Sequence, residues 1–265
     1  MKIALIPCPA WKRQSPCLTG SSVGVGLLIC SFIIFFSWFT LRKFEHGIWC
    51  GHDQGLGCQI FWTTLHGKLL WSSFLGVNGL CHLGEHAVFF ILLWLPIYAL
   101  FPFPVTLSIL QVFFLGLSAV PVYLIAKDKI SSRAGLLFVV LYLTNNFVIQ
   151  AIIDGFQTRT ISVPLYFFAF LFFIKKRYLW VSLFILLICF SHGIGCLIAI
   201  MFGIYMVLAQ RKRLLGLTIS ILSLVWFIIS IKAIQPHFGI AEPLGGLRFI
   251  AEGKVLTDST LLKIA

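Results

Sequence analysis

Apolar residues in this chain run in long stretches that polar residues barely interrupt. Such stretches cover 20–41, 103–126, 134–153, 160–174, 179–190, 194–208 and 214–234. A helix crossing a bilayer needs roughly 20 consecutive apolar residues, so the longer runs qualify by themselves and the fourth and fifth are short. One more apolar segment, 87–101, lies between a histidine-rich loop and the break Phe101-Pro102-Phe103-Pro104. The pattern predicts an all-α fold, a polytopic transmembrane helix bundle with about seven spans and one re-entrant or juxtamembrane helix. The predicted divisions are an N-terminal tail (1–19), a transmembrane domain (20–234) with an extracytoplasmic loop (42–86), and a C-terminal tail (235–265). The first run, at about 22 residues, exceeds the 7–15 of a signal-peptide core and reads as a retained helix.

Charge then sets the sidedness. Three basic clusters, Lys127/Lys129/Arg133, Lys175/Lys176/Arg177 and Arg211/Lys212/Arg213, are each separated from the next by two apolar runs. They share one side, which the positive-inside rule makes the cytoplasm. Lys12 and Arg13 put the N-terminus there too, provided that 87–101 enters the membrane without crossing it. If 87–101 crosses, the N-terminus is outside. About 15 residues is short for a span, which favours the first solution; Arg42 and Lys43, then outside, count against it. In the favoured arrangement Glu45, Asp53, Glu85, Asp154, Glu242, Glu252 and Asp258 face outward and only Asp128 faces the cytoplasm.

Composition narrows the function class. Of 265 residues 60% are apolar and 11% charged, with a mean hydropathy of +1.02; a soluble domain carries about 25% charged residues. The net charge of +12 sits in short clusters between apolar runs, which points to anionic membrane lipid as a partner and away from nucleic acid. Of eight cysteines, Cys30, Cys189 and Cys196 lie within apolar runs, whereas Cys50, Cys58 and Cys81 share one loop and are able to pair if it is extracytoplasmic.

The chemistry-bearing residues gather after the first run. Five of seven histidines (His46, His52, His66, His82, His86) fall in that loop with Asp53 and Glu85. A carboxylate beside a membrane surface suits a general base or metal ligand; the plainer reading is a solvated loop in which Asp53 caps a helix. His82 and His86, at i and i+4, would share a helix face. With Cys81 nearby they raise the question of zinc, but no Cys-x-x-Cys or His-Glu-x-x-His accompanies them, and no metal site is assigned. Asp154 and Arg159 are able to hold an ionic substrate group or to form an ordinary interfacial pair. His192, between two apolar runs, reads as a structural residue at a helix end.

The stretch Asp53-Gln54-Gly55-Leu56-Gly57-Cys58-Gln59-Ile60-Phe61-Trp62-Thr63-Thr64-Leu65-His66-Gly67 resembles the D-x-G-x-x-x-Q-x-x-W-x-T-x-x-G signature of a bacterial and archaeal membrane family of unknown function. The likeness runs on through His86, Leu95-Pro96-Ile97-Tyr98-Ala99-Leu100-Phe101-Pro102, Gln111 and Val120-Pro121-Val122-Tyr123, and covers roughly 44–235. That family is grouped with GT-C type membrane glycosyltransferases, which use a polyprenyl-phosphate-linked sugar and an acidic residue in the first outer loop. The resemblance implies Asp53 as base or ligand of a divalent cation, and Gln59, His86, Asp154 and Arg159 as substrate-binding residues, with Arg159 near the lipid phosphate. It also implies that 87–101 is a juxtamembrane helix. Relatives tend to show D-F-H-x-E where this chain has Gly155-Phe156-Gln157-Thr158-Arg159, and K-E-D where it has Phe190-Ser191-His192. The chain is also shorter than the resemblance leads one to expect, as for a degenerate member or a truncated reading frame. The resulting expectation is a multi-pass cell-membrane protein related to GT-C glycosyltransferases, with a non-catalytic assembly partner and, less favoured, a transporter as alternatives.

Overall fold

The computed structural model describes residues 20–48, 51–75, 79–208 and 212–238. The tail basics Lys12 and Arg13, Cys50, Arg211 and the acids Glu242, Glu252 and Asp258 lie outside these residues.

Helix α1 (Gly20–Glu45) carries Arg42 and Lys43 in its last turn, where cations oppose the negative end of the helix dipole. It buries Val25 and Phe32 and leaves Leu27, Ile34, Phe35 and Trp38 exposed, as a lipid-facing helix does. Gly116 of α4 (Pro104–Leu117) is what lets α1 approach: a Cβ there would sit 2.7 Å from Ile33 Cγ1. Helix α4 begins on Pro104, whose missing N–H is one that the first turn leaves unpaired in any case. It runs on through Ser118 into α5 (Ala119–Lys129). Ser131 caps α6 (Ser132–Leu143) by accepting from Ala134 N at 3.1 Å, and Asn145 caps α7 (Asn146–Ile153) by accepting from Phe147 N at 2.9 Å.

A single 3-10 turn, Thr160–Ser162, leads into α8 (Val163–Ile174), followed by α9 (Tyr178–Ser191), α10 (Gly193–Leu208) and α11 (Arg213–Ile229). Helix α11 passes through a π-turn, Ser230–Ile234, into the short α12 (Gln235–His237). Helices α10 and α11 pack glycine against glycine: a Cβ on Gly203 would lie 2.6 Å from Gly216 O.

Four helical stretches are long and apolar enough to cross a membrane: Gly20–Glu45, Pro104–Lys129, Ser132–Ile153 and Arg213–His237. Thr160–Ile174, Tyr178–Ser191 and Gly193–Leu208 are apolar but shorter; at 1.5 Å per residue they reach about 21–24 Å against a hydrocarbon core of about 30 Å. Seven spans were expected, and by length four qualify among the described residues.

The chain returns to one end of the bundle between α1 and α4. At that end Lys43 Nζ donates to Ile153 O at 2.5 Å, and Gln54 Nε2 of α2 (His52–Leu65) donates to Pro104 O at 2.9 Å. The apolar stretch Phe90–Leu100, a 3-10 turn continuing into α3 (Leu95–Leu100), belongs to this same excursion, as does a two-residue hairpin of β1 (Trp71–Ser72) and β2 (Leu80–Cys81). The basic clusters meet at the other end. Lys127, Lys129 and Lys175 surround Asp128, and Lys212 Nζ lies 5.1 Å from the Tyr178 ring centre.

Candidate functional site

Helix α2 presents Asp53, Leu56 and Gly57, at i, i+3 and i+4, toward a cleft of about 140 Å³. His82, Glu85 and His86 form a second wall, Gln157, Thr158 and Arg159 a third, and His192 closes it from the α9–α10 turn. A wider groove of about 400 Å³ opens on the other side of Asp53, lined by Gly51, His52, Ile153, Asp154 and Gln157. Asp53, His52 and Gln157 border both cavities. The Asp53 side chain is half exposed, with Oδ1 3.8 Å from His52 Nδ1.

The imidazoles pack against one another. His82 sits in the 3-10 turn His82–Gly84 with its side chain 3% exposed, and its Nδ1 lies 3.4 Å from Glu85 Oε2. The His82 and His86 rings are perpendicular, with centres 5.7 Å apart, and the His86 and His192 centres are 4.5 Å apart. The His82 imidazole beside it, with His86 adding to the effect, holds the Glu85 carboxyl below its usual range despite partial burial. Burial depresses His86; Glu85 partly offsets this, while the neighbouring His82 and the Arg159 guanidinium add to it. His192 is pushed down to about 4 by burial, then by His86, Arg159 and His82. At neutral pH the cleft therefore presents uncharged His192, ionised Glu85 and the Arg159 guanidinium together.

Two buried glutamines hold the third wall. Gln54 Oε1 accepts from Phe156 N at 2.6 Å and from Ser108 Oγ at 2.7 Å. Gln111 Oε1 accepts from Gln157 N at 2.7 Å, while its Nε2 donates to Ala151 O and Gly155 O. Gly155, at φ 88, takes the left-handed turn between them.

Of the residues singled out from sequence, Asp53, His86 and Arg159 come together in the cleft. Asp154 lines the groove instead and accepts from Gln150 Nε2 at 2.8 Å. Gln59 borders neither cavity: its Oε1 accepts from Ser72 Oγ at 2.6 Å and Ser73 N at 3.1 Å, and its Nε2 donates to Ser73 Oγ at 2.9 Å. Six residues along a helix is about 240° of rotation, so a residue six places after Asp53 points elsewhere. His82 and His86 do not share an α-helical face; the 3-10 turn brings their rings together instead. His192 does more than end a helix: its Nδ1 accepts from Ile194 N at 3.2 Å while its ring lies on His86. Glu85, His52 and Gln157 had no role assigned, and only the clustering of histidines and acids in one loop hinted at the first two. Gln54 and Gln111 stand in the stretches that carry the resemblance, yet the only physical mark on them is being polar in apolar surroundings.

Among the described residues no group of three or more His, Cys, Asp or Glu side chains takes a metal-holding arrangement. Cys58 and Cys81 are free thiols, and burial raises Cys58 to about 11, which keeps it inert. No curated protein and no solved structure matches the chain. A family model does match residues 49–253, which takes in α2, the cleft and all the later helices, and the chain belongs to that family, described as predicted membrane protein (DUF2079).

Proposed function

We propose that the chain is a cell-membrane glycosyltransferase of GT-C type that transfers a sugar from a polyprenyl-phosphate carrier at the outer face. The observation that carries this reading is the position of Asp53 on the wall common to two cavities. Group transfer needs a base where two substrates meet, and a carboxylate at such a junction is suited to that work. The acceptor hydroxyl gives its proton to Asp53 and its oxygen attacks the anomeric carbon from the groove. The bond from that carbon to the phosphate oxygen breaks with inversion, and the lipid phosphate leaves on the Arg159 side, where a guanidinium stabilises the departing charge. His86, held neutral by burial, orients the acceptor. Among the described residues, the acids and histidines of the cleft form no group of three or more metal ligands, and no step is routed through a cation. With the basic end of the bundle in the cytoplasm, the N-terminal end of α1 and the turns that carry the basic clusters lie inside, and the cleft opens outward.

The test is donor turnover by purified protein in lipid, across a panel of polyprenyl-phosphate sugars, for wild type and Asp53→Asn. Turnover lost in the variant supports the reading. The small cleft volume, below the roughly 300 Å³ of common ligand sites, favours a second reading, a non-catalytic assembly partner. Absence of turnover by folded wild type would favour that one.

A further inference from the structure

We infer that Gln54 and Gln111 are positioning residues, a pair of buried amides that fix the Arg159 loop against the helix carrying Asp53. The inference rests on the transfer reading for its kinetic consequence and on geometry for the rest. Gln54 is 3% and Gln111 1% exposed. Each engages both ends of its amide: Gln54 Nε2 donates to Pro104 O at 2.9 Å, and Gln111 Nε2 donates to Ala151 O at 2.6 Å and Gly155 O at 2.9 Å. Their oxygens take the N–H groups of two consecutive residues, Phe156 and Gln157.

Any buried N–H needs an acceptor, but the choice of acceptors here has a geometric consequence. Gln54 is the residue after Asp53, so the turn of α2 that sets the carboxylate also grips the loop. Gln157, whose backbone Gln111 fixes, accepts from Arg159 Nε through its own Oε1 at 3.2 Å. A chain of amides thus leads from the centre of α4 to the guanidinium, and a second joins the same loop to the carboxylate. Displacing a reacting group by 1 Å costs on the order of 100-fold in rate.

Methionine has nearly the volume of glutamine and cannot form these bonds. In lipid nanodiscs, Gln54→Met and Gln111→Met should raise amide exchange at 155–159 by about tenfold or more while the rest of the bundle keeps its protection. Donor turnover per folded molecule should show a higher KM in Gln111→Met, where Arg159 loosens, and mainly a lower kcat in Gln54→Met. Unchanged exchange at 155–159, or loosening spread evenly over all helices, overturns the inference. Unaltered kcat and KM in both variants overturn it as well. If wild type turns over no donor, the transfer reading falls while exchange at Phe156 and Gln157 still decides whether the amides hold the loop.

Discussion

Gly55 and Gly57 stand two residues apart on α2, yet alanine at the two positions should have opposite effects. At Gly57 a Cβ would sit 2.4 Å from Phe156 Cδ1 and 2.7 Å from Cε1, with Leu107 Cδ1 at 3.6 Å behind it. Ordinary carbon contacts begin near 3.5 Å, so the ring must retreat by about 1 Å. Phe156 is 0% exposed, and its backbone N–H is held by Gln54, so the retreat strains both core and loop. Overpacking of this kind costs about 1–3 kcal/mol, against which the helix gains up to about 1 kcal/mol from replacing glycine. At Gly55 the nearest atom is Phe74 Cζ at 3.2 Å, the far end of an exposed ring that can swing aside, and the helical gain stands almost alone. Thermal unfolding in nanodiscs, followed by tryptophan fluorescence, should place Gly57→Ala several degrees below wild type and Gly55→Ala level with it or above, at about 2–4 °C per kcal/mol. Equal shifts for the two, or a more stable Gly57→Ala, would refute the argument that Phe156 is locked between α2 and the loop.

Two further outcomes are open to direct measurement. Because His192 is depressed to about 4, the folded state binds its proton more weakly than the unfolded chain; stability should fall as pH drops from about 6.5 toward 4. His192→Gln should flatten the melting temperature over that window, and an unchanged slope would show that the imidazole titrates normally. On the α10–α11 seam, Gly216→Val places a Cβ 2.5 Å from Gly203 O and should abolish monodisperse protein in size-exclusion chromatography, whereas Gly193→Ala, with its nearest neighbour at 3.9 Å, should be tolerated.

What the sequence could reveal followed from the range of each physical effect. Hydrophobic runs report local burial in lipid, so α1, the α4–α5 rod and α6–α7 were visible at nearly their observed bounds. The breaks flanking α8, α9 and α10 were visible as well, but a run of 14–16 residues does not say whether it spans. The expectation that 87–101 enters without crossing came from charge, because clusters separated by pairs of runs had to agree on one side; in the structure Phe90–Leu100 is one of the shorter apolar helices. Gln59 shows where local reasoning fails. A signature is linear, whereas a helix distributes its residues around an axis, so Asp53 reached the cleft and Gln59 turned to the Ser72–Ser73 hairpin. His192 shows the other failure. Its partner His86 lies more than a hundred residues away, and nothing in the turn Ser191-His192-Gly193 encodes which loop will cover it. The cleft is assembled from four separate segments by contacts of this long-range kind. That is why its individual members could be suspected from residue type, while the two amides that hold it, polar residues inside apolar helices, became visible only through their hydrogen bonds.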